Sequence, residues 1–259
     1  MVKNGKTSHQ TGEQFGRQAA HYAVSTGIHA HSEGLDALEA FVSSRTYNVA
    51  VDLATGAGFT AFALAPYADH IFATDIAHGM LTQAGNLAKE RKLNNIEFAF
   101  VEAEQMPFRD GSLDMVSCRQ AAHHFYDLPK ALIEISRVLR TGGDFLLSDS
   151  CAPEPEQVAD WMNDMQLRRD FTHVKDRKVT EWYTMLGDVG LEVVDCKMTR
   201  VNLEFNDWVR RSATPVEKLA ALREDFMTAD EDIRDIFQIT AKDSDIFFNW
   251  PVIVLKATK

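Results

Sequence analysis

The segment from Val49 to Ala61 constrains the fold of this chain more strongly than any other. A mostly apolar run, residues 49–53, is followed directly by the small residues ATGAG at positions 54–58. Glycines at this spacing permit a tight turn and let the backbone approach a ligand closely. The segment therefore predicts a buried β-strand, a ligand-binding turn and the start of a helix.

Short apolar runs rich in β-branched and aromatic residues alternate with stretches of helical spacing up to residue 150. The helical stretches include residues 80–92 and 129–139, and Gly142 is expected to cap the second of them. The predicted buried strands are residues 48–53, 70–75, 96–101, 113–118 and 144–150. Repetition of strand, helix and strand indicates a parallel sheet with right-handed crossovers, which is the α/β class.

The chain changes character after residue 150. Pro153 and Pro155 interrupt it, and a more polar helical region follows to about residue 190. Two further strands are predicted at residues 192–201 and 246–257. Between them, the sequences TPVE at 214–217 and TADE at 228–231 have the form of capping boxes and predict two helices.

The glycine turn is compatible with two kinds of cofactor. Gly56, Gly58 and Ala61 satisfy the G-x-G-x-x-G/A pattern of dinucleotide-binding domains, and Asp75 ends the next predicted strand, where an acid binds ribose. One candidate is a nicotinamide or flavin dinucleotide. The other is S-adenosylmethionine, which also contains adenosine but carries a sulfonium and an ammonium group in place of pyrophosphate.

The distribution of charge favours a cationic cofactor. A carboxylate at the end of the first strand, Asp52, repels a pyrophosphate but attracts a cation. No Lys or Arg occurs between Arg45 and Lys89, and the same interval contains Asp69 and Asp75 as well. S-adenosylmethionine is therefore favoured, although helix N-termini bind phosphate without basic side chains. An NAD-dependent oxidoreductase and a non-catalytic regulator that binds S-adenosylmethionine are the alternative functions.

Further motifs follow the glycine turn in a fixed order. They are ATDI at 73–76 with ML at 80–81, EAEQMPF at 102–108, SLDMV at 112–116, HHF at 123–125 and RVLRTGG at 137–143. Together with DLATGAG at 52–58, this series resembles the class I S-adenosylmethionine-dependent methyltransferases, in particular the small-molecule group of ubiquinone and menaquinone biosynthesis C-methyltransferases (methyltransferase type 11 domain). The resemblance covers residues 15–150 well and the last strands more weakly.

The resemblance implies a three-layer, Rossmann-like fold with a seven-stranded sheet, in which five strands are parallel and the last is inserted antiparallel. It implies one methyltransferase domain over residues 1–259. Within that domain, residues 33–152 are expected to form the cofactor-binding core. Residues 153–190 and 205–240 are expected to form an inserted helical cap and substrate elements.

The resemblance also implies a cofactor site. Asp52 is expected near the methionine ammonium, and Asp75 is expected to bind both ribose hydroxyls. Adenine would pack on Ile76 and accept from the Ala103 backbone, while Glu102 accepts from its exocyclic amine. The full set of expected cofactor residues is Tyr22, Asp52, Ala54, Gly56, Gly58, Asp75, Ile76, Glu102, Ala103 and Arg119.

For the segment preceding the first strand, residues 15–31, the resemblance implies a lid over the cofactor, with Phe15 and Tyr22 shielding the sulfonium. The alternative is that these two side chains bury an edge of the sheet. Arg119 is expected to line the methionine end of the site. In-line displacement at the methyl carbon requires no metal, and no metal site is expected. The acceptor is expected to be small and apolar or aromatic, in a pocket drawn from Trp161, Phe171, Trp182, Trp208 and Phe226.

Three residues beyond the fourth strand are candidate general bases for an acceptor that must lose a proton. They are His123, His124 and Tyr126, which lie where ligands bind in open parallel sheets. By contrast, Asp114 begins a strand after a turn, and we expect it to accept hydrogen bonds from backbone N–H groups.

Composition excludes several other classes of protein. The chain has 259 residues and a formal net charge of -11, so the basic surface of a nucleic-acid-binding protein is not expected. Three cysteines without C-x-x-C spacing indicate free thiols in a reducing compartment. No apolar run is long enough to cross a bilayer, and a cytoplasmic protein is predicted. The sequence leaves open whether the chain forms a homodimer.

Overall fold

The computed structural model describes residues 10–17 and 32–259, which form a three-layer α/β fold. The strands are β1 (Tyr47–Leu53), β2 (Ala68–Asp75), β3 (Ile96–Phe100), β4 (Leu113–Arg119), β5 (Leu139–Ala152), β6 (Arg177–Lys178), β7 (Glu192–Glu204), β8 (Thr240–Lys242) and β9 (Asp245–Thr258). The helices are α1 (residues 10–17), α2 (Glu33–Val42), α3 (Phe59–Leu64), α4 (His78–Glu90), α5 (Leu128–Val138), α6 (Glu156–Arg169), α7 (Val179–Asp188), α8 (Phe205–Arg211), α9 (Val216–Met227) and α10 (Glu231–Phe237). Short 3-10 helices occupy Ala65–Tyr67 and Ala122–His124.

Seven strands form the main path of the sheet, in the order β3-β2-β1-β4-β5-β9-β7. Strands β1 to β5 pair in parallel, and β9 is inserted antiparallel between β5 and β7. The predicted fold class is confirmed. One detail differs: β7 is antiparallel to β9 and therefore runs in the direction of β5, so six strands of this path share one direction rather than five. The short strands β6 and β8 add to β5 and β9.

The two faces of the sheet bury separate apolar layers because neighbouring residues of a strand point to opposite faces. Ala50 of β1 and Leu146 of β5 pack with α2 and α3. Their neighbours Val51 and Leu147 pack with α5 and α7 on the other face. This arrangement leaves the carboxyl edge of the parallel strands open for a ligand.

A cluster of aromatic residues joins the inserted helices to the far end of β7 and β9. Phe226 of α9 is fully buried, with ring-centroid distances of 4.7 Å to Phe248, 5.0 Å to Trp161 and 5.6 Å to Trp208. Aliphatic residues of α6 and α10 complete this cluster. The predicted helical cap is therefore a packed extension of the sheet, held by its own apolar core.

Three helix boundaries differ from the sequence-based predictions. Helix α5 ends at Val138 and β5 begins at the next residue, so Gly142 does not cap it and instead lies within the strand. Helices α9 and α10 form, but neither has a side-chain cap. The Thr214 hydroxyl donates to the Arg169 carbonyl oxygen, and the Thr228 hydroxyl donates to the Glu224 carbonyl oxygen, so neither is used as a cap acceptor.

Asp114 has the structural role expected for it. Its carboxylate accepts hydrogen bonds from the backbone N–H groups of Asn48 (3.0 Å) and Val49 (2.9 Å). It also forms an ion pair with Arg140. These bonds, with the charge of Arg140, hold the pKa of Asp114 below its ordinary value despite burial. The contact fixes the start of β1 against β4, at the edge of the sheet opposite the open one.

Truncation of the aromatic cluster should destabilise the protein strongly. Phe226→Ala removes a buried ring, and we expect it to lower the free energy of unfolding by about 3–5 kcal/mol. Met227→Ala is the matched control, because that neighbouring side chain is 44% exposed, and it should change stability by less than about 1 kcal/mol. Urea denaturation followed by tryptophan fluorescence measures both. Equal effects of the two variants would contradict the packing described.

Candidate functional site

A cavity of about 1090 Å³ opens at the carboxyl ends of β1, β2 and β4. This first cavity lies where the three parallel strands end side by side, the usual position of a ligand in an open α/β sheet. Eight residues predicted as cofactor or catalytic residues line it: Ala54, Gly56, Asp75, Ile76, Ala103, Arg119, His124 and Tyr126. The structure therefore brings these predicted residues together at one edge of the sheet.

The glycine turn forms the floor of the first cavity. Gly56 has φ +55°, and a Cβ built on it would meet no atom within 4 Å, so backbone stands exposed to open space. Gly58 has φ +91°, and a Cβ there would come within 2.5 Å of the Phe62 ring. Gly58 is thus required by packing beneath the turn and does not line the cavity. Ala54 adopts φ +51°, a conformation that favours glycine, at a wall position.

Asp52 lies beneath this turn and is 1% exposed. Its carboxylate accepts hydrogen bonds from the hydroxyls of Thr55 (2.6 Å) and Ser117 (2.7 Å). Burial raises the pKa of Asp52 to about 6, even though both hydroxyls and the nearby Arg119 favour the charged form. The carboxylate is therefore not on the cavity wall itself but one side chain below it.

Asp75 ends β2 and lines the first cavity. Its two carboxylate oxygens accept separate backbone N–H bonds, from Gly56 (2.9 Å) and Ala77 (2.8 Å). Burial raises the pKa of Asp75 against these bonds. The contacts fix the carboxylate at the junction of the glycine turn and the turn after β2.

Arg119 and Gln120 form the wall at the end of β4. The Arg119 side chain donates to the Thr60 hydroxyl over 2.8 Å, and burial lowers its pKa to about 10 although Asp52 opposes this change. Gln120 has φ +53°, a conformation that costs free energy for a residue with a Cβ and occurs most often at functional sites. The chain thus turns sharply at the point where two cavities meet.

Helix α1 covers one side of the first cavity. A Cβ on Gly12 would come within 2.8 Å of the Ile76 carbonyl oxygen, which shows how closely the helix approaches the sheet edge. Phe15 packs against Ala77 and Met80 and lines the cavity, as expected from the sequence. Tyr22, the other residue expected there, lies outside the residues that the structure describes.

A second cavity, of about 720 Å³, adjoins the first under the inserted helices. Phe15, Gln120 and His124 belong to the walls of both. The remaining wall comes mainly from α6, α8 and the ends of β7 and β9. The two cavities therefore meet at one boundary formed by three side chains.

His123 lies on the second cavity and is a cation at neutral pH. Its Nδ1 is 2.6 Å from Oδ1 of the fully buried Asp149, and its backbone N–H donates to the other oxygen of that carboxylate. Burial disfavours protonation, but the Asp149 charge and hydrogen bond outweigh it and raise the pKa of His123 to about 9.

His124 has the opposite electrostatic environment. Its Nδ1 is 3.1 Å from the Thr172 hydroxyl, which itself lies 2.6 Å from Oδ1 of Asp170. An ionised carboxylate only accepts, so the hydroxyl proton goes to Asp170 and the His124 Nδ1–H donates to Thr172. Burial and the neighbouring His123 cation lower the pKa of His124. The imidazole is therefore neutral, and its Nε2 carries the lone pair.

The structure does not bring all the predicted residues to the cavities. Glu102 lies off the wall of the first cavity, and its backbone carbonyl accepts from the Gln105 N–H over 3.1 Å. Of the five aromatic residues expected around an acceptor, Trp208 alone lines the second cavity. Trp161 and Phe226 belong to the aromatic cluster, Trp182 is a residue of α7 that packs in the core, and Phe171 is 46% exposed.

Some wall residues were not found by sequence reasoning. They include Thr55, Thr60, Met80, Glu104, Gln120 and Phe125 in the first cavity and Gln166, Arg169 and Arg211 in the second. The residues of the first cavity lie within or beside the sequence motifs, so the motifs could have indicated them. No sequence motif indicates the residues of the second cavity, because α6 and α8 are distant in sequence and meet only in the folded protein.

Two searches of residues 10–17 and 32–259 gave no result. No group of three or more His, Cys, Asp and Glu side chains in this part of the chain is arranged to hold a metal ion. Within the same residues, no helix has the length and hydrophobicity needed to cross a membrane.

Comparison with known proteins identifies the cofactor. Residues 51–147 match the family described as "Methyltransferase domain". The methyltransferase YcgJ of Bacillus subtilis is 32% identical over 213 residues, which are 82% of this chain and 84% of YcgJ. The ubiquinone/menaquinone biosynthesis C-methyltransferase UbiE of Zymomonas mobilis is 30% identical over 149 residues, 56% of this chain and 61% of UbiE.

Solved structures agree with these relationships. The crystal structure of YcgJ has a TM-score of 0.84 at 31% identity and covers 88% of this chain and 99% of its own. Geranyl diphosphate C-methyltransferase from Streptomyces coelicolor, in complex with Mg²⁺, geranyl diphosphate and S-adenosyl-L-homocysteine, has a TM-score of 0.58. At 16% identity, with coverage of 86% of this chain and 77% of that chain, it shows the fold alone.

The choice of cofactor that the glycine turn left open is thereby resolved against a dinucleotide. Taken with the cavity at the carboxyl ends of β1, β2 and β4, the relationship to YcgJ shows that the chain belongs to the class I S-adenosylmethionine-dependent methyltransferases.

Proposed function

We propose that this enzyme transfers a methyl group from S-adenosylmethionine in the first cavity to a small organic acceptor in the second cavity. The observation that carries the proposal is the shared boundary, in which Phe15, Gln120 and His124 line both cavities. A donor and an acceptor on the two sides of this boundary are held close together and away from bulk water. Methyl transfer depends on that proximity and on exclusion of water.

The first cavity fits the chemistry of the cofactor. The open space beside Gly56 admits a ligand against bare backbone. Buried carboxylates at Asp52 and Asp75 match the ammonium and the ribose diol of S-adenosylmethionine.

Each predicted cofactor residue on the wall receives a role in this proposal. Asp75 binds the ribose hydroxyls, because each of its oxygens has capacity beyond the one backbone bond that it accepts. Ile76 and Ala103 contact the adenine, and Arg119 stands at the methionine end with Ala54. Glu102 and Gly58 are not among the residues that line the first cavity, and Tyr22 lies outside the described residues.

Asp52 acts on the methionine end through the turn above it. The Thr55 hydroxyl donates to Asp52 and Thr55 itself lines the first cavity, so the carboxylate charge is one side chain from the ligand. A buried carboxylate with a raised pKa is stabilised in its charged form when an ammonium group arrives. This interaction with the ligand ammonium explains why a carboxylate, Asp52, lies beneath the glycine turn, where it would repel a pyrophosphate.

The acceptor is proposed to have an apolar or aromatic part. Apolar side chains from three parts of the chain form much of the second wall: Phe15, Val201, Leu203, Trp208 and Val252. When bound, S-adenosylmethionine supplies a methyl group on a sulfonium leaving group, which suits in-line displacement by an acceptor atom. The chain's own residues then have to orient the acceptor and receive any proton that it loses.

His124 is the residue that we assign as the general base. It is neutral, its tautomer is fixed by Thr172 and Asp170, and it lies on the boundary of both cavities. His123 is held as a cation by Asp149 and is not available to accept a proton. Tyr126 is 42% exposed and lies on the first cavity, away from the acceptor.

We also propose a cytoplasmic location and a small molecule as the acceptor. Cys118 and Cys151 are buried free thiols, and Cys196 is a half-buried one, which suits a reducing compartment. The net charge of -11 disfavours a nucleic-acid partner. A homodimer stays a prediction to be tested by the mass of the protein in solution.

Removal of the Asp75 carboxylate should weaken cofactor binding. Asp75→Ala abolishes both proposed ribose contacts, and we expect the affinity for S-adenosylhomocysteine to fall at least tenfold, that is by about 1.4 kcal/mol or more. Isothermal titration calorimetry measures the change, with NADH as the ligand that should not bind. Asp69→Ala, at an exposed position of the same strand, is the control. Unchanged affinity in Asp75→Ala would refute the ribose assignment.

Cofactor binding should also depend on pH through Asp52. The pKa of Asp52 is about 6, so at lower pH its carboxyl group is protonated in the free protein. An ammonium ligand then binds an ionised Asp52 only if the carboxyl group first loses this proton. Affinity for S-adenosylhomocysteine should therefore fall as the pH decreases from 7 to 5, by about tenfold. Calorimetry at several pH values tests this, and Asp52→Asn should remove the pH dependence. A variant that keeps the wild-type pH profile would show that another group titrates.

Loss of the proposed base should slow methyl transfer without loss of cofactor. For His124→Gln we expect kcat to fall by about 10²- to 10⁴-fold, with the affinity for S-adenosylhomocysteine changed by less than about threefold. Production of S-adenosylhomocysteine, measured against a panel of small acceptors that have an ionisable O–H, N–H or activated C–H group, gives the rate. His70→Gln, on the outer part of β2, is the matched control. An unchanged rate in His124→Gln would exclude the residue as the base.

A further inference from the structure

Three residues that line the second cavity have buried side-chain atoms without a hydrogen-bond partner among the described residues. They are Gln166 (Oε1), Trp250 (Nε1) and Arg211 (Nε and Nη2). Buried polar groups in native proteins are almost always paired, so unsatisfied atoms on three residues of one cavity need an explanation. A ligand that supplies the missing partners is such an explanation.

The surroundings of these residues fix what each can offer. The Gln166 amide nitrogen lies 3.3 Å from the buried Asp176 carboxylate, which orients the amide so that its oxygen is the unpaired atom. Gln166 and Trp250 are 5% and 3% exposed, so both are held rigidly in the core beside the cavity. Arg211 forms an ion pair with Asp207, with Nε 2.9 Å from Oδ2, but neither its Nε nor its Nη2 has a hydrogen-bond partner among the described residues.

Three basic side chains line this wall: Arg211, Arg169 and His123. His123 is paired with Asp149 and Arg211 with Asp207, while Arg169 is held over the Trp208 ring at 5.0 Å. Among the described lining residues, Asp170 is the one carboxylate, and its Oδ1 accepts from both the backbone N–H and the hydroxyl of Thr172. The unpaired atoms are thus N–H donors on Arg211 and Trp250 and one acceptor on Gln166.

We propose that the methyl acceptor carries an anionic group, a carboxylate or a phosphate, that Arg211 and the Trp250 indole N–H bind in the second cavity. This inference rests on the proposed function, in which that cavity holds the acceptor. Guanidinium suits planar or tetrahedral anions because its N–H groups donate in a fixed direction. The Gln166 oxygen accepts from a hydroxyl or amide N–H on the same acceptor molecule.

Other classes of acceptor satisfy this wall less well. A purely apolar molecule would leave the Gln166, Trp250 and Arg211 atoms unpaired in a drier cavity, which raises the cost of their burial. A cationic molecule would leave the N–H donors of Arg211 and Trp250 without an acceptor. An acceptor with an apolar body and an anionic end satisfies both the aromatic side of the cavity and its charged side.

The test uses the full chain saturated with S-adenosylhomocysteine and four probes of similar shape. Benzoate and phenyl phosphate carry the two candidate anions, benzamide is neutral and benzylammonium is cationic. Quenching of tryptophan fluorescence and calorimetry both report binding beside Trp208 and Trp250. We expect one or both anions to bind at least roughly tenfold more tightly than benzamide, and benzylammonium not to bind.

Substitution of Arg211 locates the anion. Arg211→Gln should weaken the tighter anion at least roughly tenfold and leave benzamide unchanged, whereas Arg211→Lys should recover part of the loss. The control is Arg210→Gln, because Arg210 also pairs with Asp207 but is 79% exposed on the outer side of α8. Affinity for S-adenosylhomocysteine, measured first in every variant, shows that the variant is folded.

The outcomes separate this inference from the proposed function. If wild-type protein fails to bind S-adenosylhomocysteine, the proposed use of the first cavity fails before the acceptor is considered. If the cofactor product binds but benzamide binds as tightly as both anions, or Arg211→Gln and Arg210→Gln behave alike, the anion site is overturned. A preference for phenyl phosphate over benzoate, or the reverse, lost only in Arg211→Gln, supports the site and identifies its anion.

Discussion

The site depends on the register in which β1 lies between β2 and β4. In that register Asp52 stands opposite Ser117 of β4 and Ala73 of β2, so its carboxylate faces the Ser117 hydroxyl and its carbonyl accepts from Thr74. A shift of one residue would turn every β1 side chain to the other face of the sheet. The buried acid would then lie in an apolar layer, and the glycine turn would lose its support. The first cavity depends on this pairing.

The parts of the site that could be predicted from sequence are those formed by short segments. The glycine turn and Asp75 each follow a strand directly, and parallel strands bring their carboxyl ends to one edge, so their proximity needs no knowledge of the rest of the fold. Arg169 and Arg211 could not be found in this way. Each is the last residue of its helix, a position where a cation is also favoured by the helix dipole, and their proximity to one cavity depends on tertiary packing.

The same distinction explains the errors in the predicted helix ends. A capping box is a local pattern, and Thr214 fits it, but the hydroxyl donates instead to the Arg169 carbonyl at the end of α6. Tertiary contact overrides the local preference there. Likewise, Trp161 and Phe226 are large aromatic residues, and such residues occur both in cores and in pockets. Sequence alone does not separate the two cases, and packing placed them in the core.

Helix α1 has a consequence for the order of events in a catalytic cycle. Phe15 lines both cavities, so under the proposed function it lies between donor and acceptor and also covers the donor. A displacement of this one side chain would alter both cavities together. The proposed function therefore links exchange of the spent cofactor to departure of the methylated product, because an acceptor that holds Phe15 in place would also slow escape of the cofactor beneath it.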